Sequence, residues 1–203
     1  VSASQTDPAG NTSPTTTEAG GIDTTPPGAA VITGITNDTG VSGSDFVTND
    51  NTLEFNGTGE PGAMVEVFVD GVSVGMALVD GSGNWVFDYT ATPLADGDHD
   101  ITTQVTDNAG NTGPVSLPQT VSIDTAAPNA PVINAPTNGA PVTGTGEPGA
   151  TVTVTTPSGS TCTAVVQGDN TWSCTLAPSP SDGEDVSASQ TDPAGNTSPT
   201  TTE

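Results

Sequence analysis

GTGEPGAMVEVFVDG, residues 57–71, sets the architecture. Gly57 to Ala63 form a tight turn rich in Gly and Pro. Val65, Val67 and Val69 then recur at every second position, the period of a strand with one face turned inward. Asp70-Gly71 is the dipeptide of a two-residue hairpin turn. The same heptapeptide, GTGEPGA, returns at Gly144 to Ala150, followed by another strand-like run, Thr151 to Thr155. One supersecondary unit therefore occurs twice.

Working outward, the first unit predicts seven short strands. They lie at Ala30 to Ile35, Thr52 to Asn56, Met64 to Asp70, Val72 to Val79, a run carrying Trp85, Phe87 and Tyr89, His99 to Val105, and Val115 to Ile123. Turn signals separate them: Gly57–Ala63, Asp70-Gly71, Asp80–Asn84 and Thr106–Asn111. The second unit repeats the order, with Gly168-Asp169-Asn170 and Thr191–Asn196 as turns. No segment has helical period. Seven strands in about 100 residues with regular turns predict an all-β fold, two tandem immunoglobulin-like β-sandwiches in an elongated array. Asp23-Thr-Thr-Pro-Pro27 and Asp124-Thr-Ala-Ala-Pro128 are the linkers, held extended by proline. The expected boundaries are 1–22, the last strands of a preceding repeat; 23–124, unit A; and 125–203, unit B, truncated before the end of its last strand.

The ends of the chain are the same peptide. VSASQTDPAGNTSPTTTE is Val1 to Glu18 and again Val186 to Glu203, a period of 185 residues. The chain reads as slightly more than one period of a longer array, whose units touch mainly their neighbours. Residues 15–22 are expected to be a last strand without its domain. Head-to-tail strand complementation between molecules follows as an expectation, with that strand completing unit B of another copy.

The charge is one-sided: no Lys or Arg, 24 Asp plus Glu, and a single His. An average chain of this length carries on the order of 20 basic residues. Nucleic acid and anionic membrane surfaces both require such residues, so neither is an expected partner. Self-repulsion among the carboxylates must be met by salt or bound cations. There is no apolar run long enough to cross a membrane and no signal-peptide pattern.

The set DTTPP, GTGEPGA, DGSGNW and TDNAGN, recurring as DTAAP, GTGEPGA, GDNTW and TDPAGN, resembles the bacterial Ig-like repeats of giant surface adhesins. These include biofilm-associated, type I-secreted proteins with repeats-in-toxin features. The resemblance spans essentially the whole chain. It implies an extracellular, cell-surface extender in which neighbouring repeats form a stalk, with calcium at the joints.

The residues give calcium a rationale of their own. Tracing seven strands puts Asp23, Glu60, Asp80 and Asp107 at the top of unit A, and Asp124, Glu147, Asp169 and Asp192 at the top of unit B. Asp96 and Asp98, at the bottom of unit A, are expected to face the top of unit B. Calcium takes six to eight oxygens in irregular geometry, and clustered carboxylates with no protein cation suit it. The same Asp and Asn residues are also what Asx-turns use. The EF-hand loop and the glycine-rich nonapeptide calcium repeat are absent from the sequence.

Cys162 and Cys174 flank Gly168–Asn170 almost symmetrically. A hairpin centred there would set them opposite one another as a disulfide with Ala164 facing Trp172, and an oxidising compartment would allow it. Two free buried thiols are the alternative. Unit A has Phe87 where unit B has Cys174. Trp85 and Trp172 are expected in the cores, and His99, between Asp98 and Asp100, in a solvated loop or at a strand edge. One His, no Lys or Arg and no nucleophile elbow leave few means of catalysis, so a non-enzyme is expected. Two other readings remain open: a module that binds a glycan, a host protein or ice, and an accessory domain of a secreted polysaccharide-degrading enzyme.

Overall fold

The computed structural model describes residues 1–17, 20–134 and 141–203. Its regular elements are all β-strands. The N-terminal tail holds β1 (Ser2–Ala3) against β2 (Thr16–Thr17), with Ser2 opposite Thr17. The strand expected over 15–22 is thus short and pairs within its own tail; residues 18 and 19 lie outside the described residues.

Unit A contains β3 (Val31–Ile35), β4 (Val47–Thr48), β5 (Glu54–Thr58), β6 (Met64–Val69), β7 (Val72–Leu78), β8 (Asn84–Asp88), β9 (Gly97–Thr106), β10 (Thr112–Val115) and β11 (Gln119–Ile123). One sheet runs β3-β5-β8 and the other β4-β11-β9-β6-β7, with β10 also on β9. The seventh expected strand is broken in two, because Pro118 has no N–H to give the ladder. The Asp70-Gly71 hairpin forms as read, with both residues at positive φ, 51° and 77°. The pair β4 was not foreseen: Val47–Thr48 lies parallel to Ser122–Ile123 at the base of the sandwich.

The alternation places Leu53, Phe55, Val65, Val67, Trp85, Ile101, Val105 and Val121 in the core, each at most 2% exposed. Full burial of side chains this size stabilises by about 1.5–3 kcal/mol apiece. Trp85 lies opposite Gly57 across β5 and β8, and its indole N–H donates to Thr58 O at 3.3 Å.

Unit B contains β12 (Val132–Ile133), β13 (Val142–Thr145), β14 (Thr151–Thr155), β15 (Thr161–Val165), β16 (Thr171–Cys174), β17 (Ser187–Thr191) and β18 (Thr201–Thr202). Its sheets are β12-β13-β16 and β15-β14-β17-β18. β18 pairs with β17 in the register that β2 keeps with β1, and Val186 and Glu203 exchange both backbone hydrogen bonds.

Cys162 and Cys174 are bonded, with Cα atoms 5.9 Å apart. The expected hairpin is not what brings them together. β15 belongs to one sheet and β16 to the other, since the chain crosses the sandwich at residues 166–170. The bridge therefore ties sheet to sheet. Trp172 faces Gly144, not Ala164, and Ala164 lies opposite Val152.

Candidate functional site: the joint between the sandwiches

The Asp–Asn turn is built the same way in the tail and in both units. Asp7, Asp107 and Asp192 each donate their N–H to the carbonyl of Asn11, Asn111 and Asn196. Each Asp Oδ1 accepts the Asn backbone N–H at 2.8–2.9 Å, and each Oδ2 accepts the Asn side-chain amide at 2.8 Å. The Asn111 amide beside Asp107 holds its carboxyl below the usual range, and Asn11 does the same for Asp7. These are Asx-turns with their carboxylates spent locally.

The second hydrogen of the Asn amide points to the linker. Asn111 donates to Asp23 O at 3.2 Å, and Asn196 donates to Asp124 O at 2.7 Å. Both linkers are thus hooked to the top of the domain they enter. The second linker is also tied backwards. Asp124 N donates to Thr48 O at 3.0 Å, and Thr125 donates through its N–H and hydroxyl to Asp96 Oδ1 at 3.0 and 2.9 Å.

The two sandwiches also touch directly. The loop between β3 and β5 reaches the Asp192 turn: Thr39 Oγ1 donates to Ala194 O at 2.6 Å and Val41 N to Pro193 O at 3.2 Å. Asn49 N in turn donates to Thr39 Oγ1 at 2.9 Å, fixing the hydroxyl. Gly40 sits between them at φ +90°, where an added Cβ would fall 1.9 Å from Pro193 O. Ala194 is 1% exposed, while Ala9 and Ala109, at the same place in the other two turns, are exposed.

This corrects the expected contact surface. Asp96 meets the linker, and Asp98 turns back to accept the Ser122 hydroxyl on its own sheet. The face presented to unit B is the loop at 38–41, which lies beyond a run of Asn, Thr, Gly and Asp that reads only as coil. Its seat was foreseeable from neither alternation nor a motif.

The expected metal ligands do not assemble as a cage. Among the described residues no group of three or more His, Cys, Asp and Glu is placed to share a metal ion. Asp23, Asp80, Asp124 and Asp169 each accept from the backbone two residues on, at 2.8–3.1 Å. The Asn84 N–H at Asp80 and the Thr171 hydroxyl at Asp169 lower those carboxyls. The Glu60 and Glu147 turns do lie beside the other top turns, through Gly59 N to Gly83 O (2.9 Å) and Glu147 N to Gln190 Oε1 (3.0 Å). The four-carboxylate set at each top therefore does not fit calcium as it stands. A different carboxylate is unusual: Asp38 Oδ1, at the start of the loop at 38–41, is buried without a hydrogen-bond partner, while its Oδ2 accepts Phe46 N at 3.0 Å.

His99 is not a solvated edge residue. Its Nδ1 lies 2.7 Å from Asp70 Oδ2 and its Nε2 2.9 Å from Ala95 O. The Asp70 carboxylate bonded to it raises the His99 pKa. The ring thus ties the bottom loop to the β6–β7 turn.

Two sandwiches in series, each entered by an Asp–Pro linker hooked to an Asx-turn, define a tandem-repeat protein of the all-β class. Residues 26–125 match the bacterial Ig-like domain family, and residues 127–203 match the bacterial Ig domain family. The two matches take in most of the chain, which belongs to the bacterial Ig-like domains. No match was found among curated proteins. Among solved structures, the chain is similar to a tetra-tandem repeat from the extending region of a large adhesion protein, at 21% identity and TM-score 0.36. That match covers 100% of this chain and 55% of the other, so the chain spans about half of that relative. It is also similar to a 1.5-MDa bacterial ice-binding adhesin, at 24% identity and TM-score 0.42, covering 99% of this chain and 70% of that one.

Proposed function

We propose that this chain is a structural extender, a piece of the stalk of a bacterial cell-surface adhesin that holds an adhesive domain away from the cell for attachment or biofilm formation. The observation that carries the reading is the joint. Loop 38–41 of one sandwich seats on the Asp192 turn of the next, and the intervening linker is bonded at both ends. A spacer needs defined relative placement of its domains and little else. The 185-residue repeat supports it, because an array lengthens by adding identical periods. The disulfide suits an oxidising, extracellular location.

Scattering from chains of one, two and three periods tests this. The maximum dimension is expected to grow linearly with period number. A compact shape whose dimension grows with the cube root of mass would overturn it.

Calcium stiffening is a separate proposal with a separate test. Its support is the charge of -24 and the unpartnered Asp38 Oδ1 at the joint, not the expected four-carboxylate sets. Melting in millimolar calcium is expected to exceed melting in chelator by several degrees; coincident curves would remove it.

A further inference from the structure

We propose that unit B carries a binding site for a neutral saccharide, in the cleft where its two sheets part between β15 and β16. β15 is the edge of one sheet and β16 the edge of the other, and the Cys162–Cys174 bridge joins the two edges. Beside the bridge lies a cleft of about 570 Å³, a size that suits small-molecule ligands. Gly144, Ala164 and Trp172, the least exposed of its lining residues, make the floor. On one rim Thr143 lies opposite Ser173 and Thr145 opposite Thr171. Thr163 and Val165 line the other rim, and Gln167, whose backbone N–H donates to Thr171 O, closes the end at the turn.

The lining selects a ligand class by its chemistry. No Asp or Glu lines the cleft among the described residues, in a chain that has 24 of them. A cation therefore finds no counter-charge there. An anion finds no Lys or Arg and meets the repulsion of the whole molecule. What the cleft offers is hydroxyl and amide groups. The hydroxyls of Thr145, Thr163 and Ser173 have no hydrogen-bond partner among the described residues. Gln167 donates its amide to Val165 O at 2.9 Å, which leaves its Oε1 to accept. The Trp172 indole N–H is buried without a partner, whereas that of Trp85 donates to Thr58 O. Val165, 54% exposed, adds an apolar patch for a C–H face. A sugar ring has hydroxyls around its edge, C–H groups on its faces and no charge, and so meets each of these features.

Unit A shows that the sandwich itself does not require this surface. Gly57 opposite Trp85 and Gly144 opposite Trp172 align the two units. In that alignment Met76, Asp80 and Val86 stand where unit B has Thr163, Gln167 and Ser173. Met76 and Val86 are well exposed. Unit B thus replaces two exposed apolar side chains and a carboxylate with two hydroxyls and an amide, all on one seam. That exchange turns an apolar and charged surface into a neutral hydrogen-bonding one.

The site goes beyond the extender reading, which stands with or without it. An NMR titration of the isotope-labelled full chain tests it. The probes are neutral tetrasaccharides of gluco, galacto and manno configuration, with tetragalacturonate as the charged contrast. At least one neutral sugar is expected to bind in the millimolar range, as suits a shallow cleft. It should shift the Trp172 indole signal and the amides of 143–145, 163–167 and 171–173, and leave the Trp85 indole still. No shift with any of the three, equal shifts at both indoles, or equally tight binding of tetragalacturonate overturns the proposal. The triple variant Thr163→Met, Gln167→Asp and Ser173→Val copies the seam of unit A and is expected to weaken binding by about tenfold. Undiminished binding by the folded variant overturns the proposal as well, and the wild-type titration is decisive whether or not the variant folds.

Discussion

Units A and B fill one equivalent place in the sandwich with different chemistry. Val67 and Val154 are the same position of the third strand, and the residues opposite them are Gly75 in unit A and Cys162 in unit B. Across the sandwich, Phe87 of unit A corresponds to Cys174 of unit B, each two residues beyond its buried Trp. In unit A the Phe87 ring lies over Gly75, with a Cβ there only 2.6 Å from Cε2. Tyr89 stands beside it at 6.3 Å, and Phe55 is 5.9 Å from Tyr89. In unit B, Val142 lies opposite Cys174, and a disulfide crosses the gap that the ring fills in unit A. A covalent tie thus stands in for an aromatic cluster, as it does in small domains whose cores are lean.

The comparison breaks first at the disulfide. Changing Cys162 and Cys174 to Ala together is expected to destabilise unit B by about 3 kcal/mol, the value for closing a short loop, and to leave unit A unchanged. Calorimetry should then show two separated transitions with unit B melting first. A single unshifted transition would mean that the bridge contributes nothing. Replacing Cys162 by Gly and Cys174 by Phe is expected to recover part of the loss, since it copies the pair that packs in unit A.

A second difference lies one strand away. Gln190 of unit B is 2% exposed, where unit A has the fully buried Val105 in front of the same turn. Its amide accepts Glu147 N at 3.0 Å and donates to Asn129 O at 2.7 Å, pinning the linker end to the GTGEPGA turn. Gln190→Val is expected to cost about 2 kcal/mol, because two part-buried backbone groups lose their partners. Urea titration of unit B tests this; a loss well under 1 kcal/mol would show that water replaces the amide.

The sandwich itself was legible in the sequence, because period two and Gly-rich turns are local signals. Val65, Val67 and Val69 are inward as read, and so are Trp85 and Trp172. The disulfide pairing was legible and its geometry was not. A turn flanked symmetrically by two Cys looks alike whether the chain folds back in one sheet or crosses to the other, and that choice is made by distant strands β13 and β14. The contact of loop 38–41 with the Asp192 turn was illegible for a related reason. Thr39 and Ala194 are far apart in the chain, and only the stacking of two finished domains brings them to 2.6 Å. Of the carboxylates, Asp107 and Asp192 each face their own Asn, a contact only four residues away.

Gly75→Ala sharpens the packing side of the comparison. At φ +152° and under the Phe87 ring, the methyl group has neither a relaxed backbone nor space. We expect a loss of ~1 kcal/mol or slightly more in unit A, with unit B unmoved. Pairing the change with Phe87→Leu should soften it, since a smaller side chain leaves room. If the two losses simply add, the ring and the glycine are not a packed pair.

The smallest expected effect concerns a feature that unit B lacks altogether. His99 lies between Asp70 Oδ2 and Ala95 O, an arrangement that favours protons on both ring nitrogens. Asp70 raises the His99 pKa, and His99 lowers that of Asp70. For the imidazole, the stabilisation is complete below the unfolded value of about 6.5 and is lost as pH rises through the raised folded value. For the carboxylate, it is complete above about 3.9 and is lost as pH falls through the lowered folded value. The pair therefore contributes most between about pH 4 and 6.5, and less than about 1 kcal/mol because Asp70 is half exposed. The melting temperature of His99→Gln should fall furthest below wild type near pH 5.5, and the gap should close by pH 9. A gap constant with pH would make His99 a neutral hydrogen-bonding spacer, and the one basic side chain of the protein would then carry no charge-dependent role.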